Sequence, residues 1–284
     1  MLIDTHCHLD AAEFDTDRAA VADAATRAGV ELIVVPSVER ANFGAVASVC
    51  RDHPGCLAAY GIHPMYVEHA RELDLDALRE TIQRGHALAV GEIGLDRYVE
   101  PRDDARQELY FAAQLQLARD AGLPVLLHVR RAIDPVLKHL RRCRVRGGIA
   151  HAFNGSRQQA EEFIKLGFKL GFGGAMTFPR ANRIRELAAT LPLDAIVLET
   201  DSPDMPPEWL AASTDGAGQQ ARRVRREVAA RNTPDQLPRI AQTLANLRGI
   251  PVQAVAEATT TNAGAVLPGL KWIPSFFRPT SIRS

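Results

Sequence analysis

"DDARQELYFAAQLQLARDAGLPVLLHV" (residues 103–129) joins two periodicities through a stop. Its first part sets Tyr110, Ala113 and Leu117 at i, i+3 and i+7, the spacing of a helix with one apolar face. Gly122 and then Pro124 end that helix, because glycine supplies a left-handed cap and proline cannot extend the hydrogen-bond ladder. The run that follows, "PVLLHV" (124–129), is apolar without alternation. A parallel strand covered on both faces reads this way. It delivers a histidine, His128, near its carboxyl end.

The same beat recurs along the chain. Apolar runs stand at 1–6, 31–37, 56–62, 87–93, 124–129, 147–152, 169–174 and 195–200. Helical stretches lie between most of them: "DRAAVADAATRAG" stops at Gly29, and "SRQQAEEFIKLG" opens on Ser156 as an N-cap and stops at Gly167. Eight strand–helix units over roughly 250 residues predict an α/β fold, a (β/α)8 barrel. An open doubly wound sheet is the alternative, but no G-x-G-x-x-G follows the first strand to mark a nucleotide fold. Two further helices are expected in "PDQLPRIAQTLANLRG" and "PVQAVAEATTTNAGAVL". Residues 1–267 thus read as one barrel domain with C-terminal helices, and residues 268–284 as a tail.

Composition narrows the function classes. Hydrophobic residues make up 46% and charged residues 24%, ordinary for a soluble globular chain. Lys plus Arg equals Asp plus Glu at 34 each, so no global positive field advertises a polyanion binder. Four cysteines without a C-x-x-C pair spell neither a zinc finger nor a disulfide framework. No run reaches membrane-spanning length and no signal pattern opens the chain. A cytoplasmic location is expected, with no membrane association and no obligate protein partner.

The chemistry concentrates at strand ends. "LIDTHCHLD" (2–10) sets His6 and His8 two apart, which on an extended chain puts both imidazoles on one side, about 6–7 Å apart at Cα. His63, Glu92, His128, His151, Glu199 and Asp201 close later runs. In a barrel all the carboxyl ends open on one face, so these residues converge. Imidazoles mixed with carboxylates suit borderline to hard divalent ions. His6, His8, Glu92, His128, His151 and Asp201 are too many for one open tetrahedral zinc. They suit two divalent ions (Zn, Mn or Mg) bridged by a carboxylate, for which Glu92 is the natural candidate.

With "DTHCHLD" (4–10), "GIHP" (61–64), "AVGEIGLD" (89–96), "PVLLHVRRA" (124–132), "GIAHAFNGS" (148–156) and "LETDSPDMPP" (198–207), the chain resembles the TatD family of metal-dependent hydrolases. The resemblance implies an amidohydrolase-like barrel with metal-dependent nuclease activity on DNA. It also implies that His6, His8, Glu92 and Asp201 hold one ion, and Glu92, His128 and His151 the other. The chain departs from the family twice. Met65 stands where "GIHPH" often carries a second histidine. The stretch from Trp209 to Asn232 is long and arginine-rich, with Arg222, Arg223, Arg225, Arg226 and Arg231. That stretch reads either as a solvated helix or as a phosphate-attracting rim.

Such a centre would activate water for hydrolysis, with Asp201 and Glu92 as the catalytic carboxylates. Asp201 is placed to accept the proton of that water. His63 and Arg130 would contact substrate, Arg130 by pairing with a phosphate oxygen. Asp4, Asp96 and Glu199 are candidates for orienting the imidazoles. DNA or another phosphodiester is the expected substrate. Hydrolysis of a small amide, lactone or ester is the alternative, although related two-metal barrels of that type often bridge with a carboxylated lysine and strand four has none. A non-catalytic metal-dependent binding module is disfavoured, since no ligand position is lost.

Overall fold

The structure, a computed structural model, describes residues 1–211 and 231–272. Its continuous apolar runs become eight parallel strands paired in chain order: β1 (Leu2–Asp4), β2 (Val30–Pro36), β3 (Cys56–Tyr60), β4 (Ala89–Asp96), β5 (Val125–Arg130), β6 (Gly148–Ala150), β7 (Phe168–Phe172) and β8 (Ile196–Leu198). Beyond the ladders, the chain after β1 bonds to the chain after β8. Thr5 N donates to Leu198 O (3.1 Å), Asp201 N to His6 O (2.8 Å) and His8 N to Ser202 O (2.7 Å). Asp4 braces this seam by accepting from Thr200 N (2.9 Å) and Thr200 Oγ1 (2.5 Å). The result is a nearly closed (β/α)8 barrel.

Seven helices cover the strands: α1 (Arg18–Arg27), α2 (Phe43–Asp52), α3 (Glu72–Gln83), α4 (Asp104–Ala121), α5 (Ile133–Arg142), α6 (Arg157–Lys165) and α7 (Asn182–Thr190). A single turn, α8 (Glu208–Ala211), follows β8, and the two expected C-terminal helices are α9 (Leu237–Arg248) and α10 (Val252–Val266). The stops hold as expected: Gly122 caps α4 at φ +65°, and Ser156 accepts from Gln159 N at the start of α6. Inward-facing Ile3, Leu32, Val34, Ala59, Ala89, Leu126, Ile149 and Val197 fill the barrel and meet Ala263, Val266, Leu267 and Leu270. Leu270, beyond residue 267, therefore belongs to this core.

Three expectations need correction. Most apolar runs outlast their ladders: β1 stops at Asp4, β3 at Tyr60, β6 at Ala150 and β8 at Leu198, so His6, His8, His63, His151 and Asp201 lie just past strand ends. There the backbone leaves the ladder to bond across the mouth. Strand β4 does the opposite and runs on to Asp96, which puts Glu92 mid-strand. The apolar face of α4 is also rotated from the one read in the sequence. Its buried residues are Gln107, Tyr110, Phe111, Gln114, Leu115 and Ala118. Two are polar because their amides are used: Gln107 Oε1 accepts from Asp96 N (2.9 Å), and Gln114 bonds both Ile62 N (2.7 Å) and Ile62 O (3.0 Å). Helix α4 thereby clamps the tops of β3 and β4, where the site is built.

Arg222, Arg223, Arg225 and Arg226 lie outside the described residues. Arg231 is engaged at the start of α1. Its guanidinium holds Asp17 (2.6 Å) over the Phe14 ring and fastens the returning chain to the start of α1. Among the described residues no helix is long and apolar enough to cross a membrane.

Candidate metal centre

A bulge aims the central carboxylate. Val90 pairs with Val125 and Ile93 with Leu127, so three residues of β4 advance against two of β5. Ala89 faces the barrel interior, whereas Val90, Ile93 and Leu95 pack in the core beneath the helices. Without the extra residue, strict alternation would turn Glu92 outward toward the helices. With it, Glu92 points into the mouth, 2% exposed.

The Glu92 carboxylate divides two clusters. Its Oε2 lies 3.1 Å from His6 Nε2 and 3.5 Å from His8 Nε2, and Asp201 Oδ1 stands 3.7 and 3.8 Å from the same two nitrogens. Its Oε1 lies 2.8 Å from His151 Nε2 and 3.0 Å from His128 Nδ1. His63 Nε2 reaches the same oxygen at 3.6 Å. Every expected ligand is thus brought to one place, and the donor atoms close enough to share an ion fall into His6, His8 and Asp201; His6, Glu92 and His151; and His63, Glu92 and His128. The cluster opens toward solvent at His8, Asp201 and His128, whose side chains are 14–18% exposed, against 0% for His6.

The donor set fits cations. His6 Nε2 faces His8 Nε2 at 3.3 Å, and His151 Nε2 faces His128 Nδ1 at 3.5 Å. Ring nitrogens aimed at one another in a buried cavity need a proton or a cation between them. Burial pushes the His6 imidazole down to about 4, which favours its neutral, ligating form. For His8 and His151 burial acts in the same direction, but Glu92 and Asp201 outweigh it and raise them to about 9 and about 10. Glu92, against its own burial, is held well below the carboxylate range by the surrounding imidazoles. Negative charge in this pocket therefore calls for positive partners, and a metal ion can take the place of those protons.

The three acids behind these histidines divide their work. Asp96 Oδ2 lies 2.9 Å from His128 Nε2, while its Oδ1 accepts from Tyr98 N (2.7 Å) and Val99 N (3.0 Å). Asp4 accepts from the His6 backbone amide rather than the ring (3.2 Å). Glu199 Oε1 stands 3.9 Å from His151 Nδ1 and accepts from Ala152 N. Burial raises Glu199 to about 8. It fits only because residue 171 is glycine, where a Cβ would stand 2.1 Å from Glu199 Oε2. Asp201 itself adopts φ +56°, a left-handed conformation that Asp tolerates better than most residues.

Around the cluster stand Met65 and Arg130, both singled out in the sequence, and Tyr98, which was not. Met65 is 47% exposed, and its amide donates to His63 Nδ1 (3.2 Å). Arg130, free of any ion pair among the described residues, stacks 3.8 Å over the Tyr98 ring. A signal for Tyr98 existed in its spacing, two residues beyond Asp96 as Arg130 is two beyond His128.

A (β/α)8 barrel carrying mixed imidazole and carboxylate ligands at its carboxyl mouth is the architecture of a metal-dependent hydrolase. Residues 3–268 match the profile of the TatD related DNase family, and the chain belongs to that family. It is 39% identical over 263 residues to the uncharacterized metal-dependent hydrolase YjjV of Escherichia coli K12, covering 92% of this chain and 95% of the relative. The crystal structure of E. coli YjjV superposes with a TM-score of 0.83 at 38% identity, covering 94% of this chain and 98% of that one. The 3'-5' ssDNA/RNA exonuclease TatD of Rahnella is 31% identical over 267 residues, covering 90% of this chain and 94% of the relative.

Proposed function

We propose that the chain hydrolyses phosphodiester bonds of DNA or a related nucleic acid, using two divalent ions (Zn, Mn or Mg) held around Glu92. The observation that carries this reading is the divided carboxylate, one oxygen against His6 and His8 and the other against His128 and His151. His6, His8 and Asp201 complete one ligand group, and His128 and His151 the other. Bound there, the ions would polarise a phosphoryl oxygen and bring the pKa of water toward neutrality.

The chain's own residues have distinct parts. Asp201, on the open side of the cluster, accepts the proton of the attacking water and returns it to the leaving oxygen. His63 is held neutral by burial, and its Nδ1 accepts from Met65 N, which favours the tautomer with the proton on Nε2. In that form Nε2–H can donate to a phosphoryl oxygen, which suits a substrate contact. Arg130, whose guanidinium has no ion pair among the described residues, offers a fork of N–H donors two residues beyond His128 and pairs with the phosphate. The exonuclease named in Rahnella supports nucleic acid as the substrate class. The lack of any lysine in β4 favours this over amide or lactone hydrolysis.

The test is a panel of phosphodiester, amide and lactone substrates after chelation and reloading with Mn²⁺, Mg²⁺ or Zn²⁺. Metal-restored cleavage confined to phosphodiesters is expected. Turnover of amides or lactones in preference would overturn the reading.

A further inference from the structure

Tyr98 is 47% exposed at the top of β4, beside the metal centre. The guanidinium of Arg130 lies 3.8 Å from its ring centroid and that of Arg131 4.5 Å. Consecutive residues of an extended strand point to opposite sides, so two neighbouring arginines should diverge. They do not, because Arg131 adopts φ +53°, an uncommon left-handed conformation for a long side chain. The turn brings the second cation back onto the same ring.

Neither guanidinium pairs with a carboxylate or donates a side-chain hydrogen bond among the described residues. Arg97, from the same loop as Tyr98, shows the contrast. It is bound by Glu108 (2.8 Å) and by Asp104. Two like charges gathered on one ring repel, and the ring's π face compensates only in part. Their N–H edges remain available to an anion. The cluster is also fixed to the centre, since Asp96 holds the Tyr98 amide with one oxygen and faces His128 Nε2 with the other.

We propose that Tyr98 and Arg131, continuing from Arg130, form a subsite for the nucleotide next to the phosphate being cleaved. The base joins the arginine–tyrosine stack, and the Arg131 N–H groups take that nucleotide's phosphate. This inference rests on the nuclease reading and adds to it a residue-level grip on a second nucleotide.

The test is binding of a non-hydrolysable phosphorothioate oligonucleotide by the full chain loaded with Mn²⁺. Tyr98→Ala should weaken binding about 5- to 160-fold, the range of one base–aromatic stack. Tyr98→Phe, which keeps the ring, should recover most of that loss. Arg131→Asn, which tolerates the left-handed backbone, should reduce the slope of log affinity against log salt by about one. In kinetics the preference for an oligonucleotide over bis(p-nitrophenyl) phosphate, expressed as a ratio of kcat/KM, should fall in Tyr98→Ala. Undiminished binding and preference in Tyr98→Ala, with a wild type that cleaves both substrates, would overturn the subsite alone. A wild type that binds no oligonucleotide and cleaves no phosphodiester would overturn the nuclease reading and the subsite together.

Discussion

Asp96→Asn turns one acceptor oxygen into a donor at a carboxylate whose two oxygens serve different masters. Oδ1 takes the amides of Tyr98 (2.7 Å) and Val99 (3.0 Å), and Oδ2 takes His128 Nε2 (2.9 Å). If the new carbonyl keeps the loop amides, the NH₂ group faces Nε2, and His128 must move its proton to Nδ1. That nitrogen lies 3.0 Å from Glu92 Oε1 and is the one aimed into the cluster. Protonated there, it has no lone pair to give a cation. Affinity at the His128–His151 position should then fall about 10- to 100-fold, as for other lost partners behind metal ligands, or about 1.4–2.8 kcal/mol. If the asparagine flips instead, two half-buried loop amides lose their acceptor, at about 0.5–1.5 kcal/mol each. Competition with a chromogenic chelator measures the first outcome, and thermal melting of the metal-free protein the second. Wild-type metal affinities together with an unchanged melting temperature would refute this role for Asp96.

Asp201→Asn keeps size and one coordinating oxygen and accepts the left-handed backbone, but it cannot act as a base. Turnover of metal-saturated enzyme should fall on the order of 10²-fold or more, with less loss of metal content, and near-normal turnover would remove Asp201 from proton transfer. The metal-free protein should lose stability as pH rises. Folded His8 and His151 titrate near 9 and 10, above the ordinary 6.5, because Glu92 and Asp201 outweigh their burial. Between those values the folded state binds more protons than the unfolded one, so the contribution is whole below pH 6.5 and lost through pH 9–10. Burial raises Glu199 to about 8 and Asp4 to about 7, which adds in the same direction from lower pH. Melting temperature followed from pH 6.5 to 10 should decline, less steeply with metal bound, and a rising curve in the metal-free protein would contradict these shifts.

The barrel was legible because each β–α unit announces itself locally: an apolar run without alternation, a glycine stop, a helical period. The gathering of histidines and carboxylates was legible for a related reason, since topology alone sends all the strand ends to one mouth. What stayed hidden depends on three-dimensional detail. The bulge that turns Glu92 inward is a single extra residue in β4, and nothing in "AVGEIGLD" marks where it falls. The polar face of α4 escaped because Gln107 and Gln114 look like surface residues until the amides they satisfy at Asp96 and Ile62 are known. The convergence of Arg130 and Arg131 on Tyr98 follows from the left-handed turn at Arg131, which no pattern of residue types dictates.

The divided carboxylate of Glu92 is tested most directly by counting ions. Metal analysis of fully loaded wild-type protein and of Glu92→Gln, each dialysed against the same buffered Mn²⁺ or Zn²⁺, compares the two clusters with and without their shared anion. Two equivalents per chain are expected in the wild type, and a loss of metal with most of the activity in Glu92→Gln. At most one equivalent in the loaded wild type would contradict a two-ion centre bridged by Glu92.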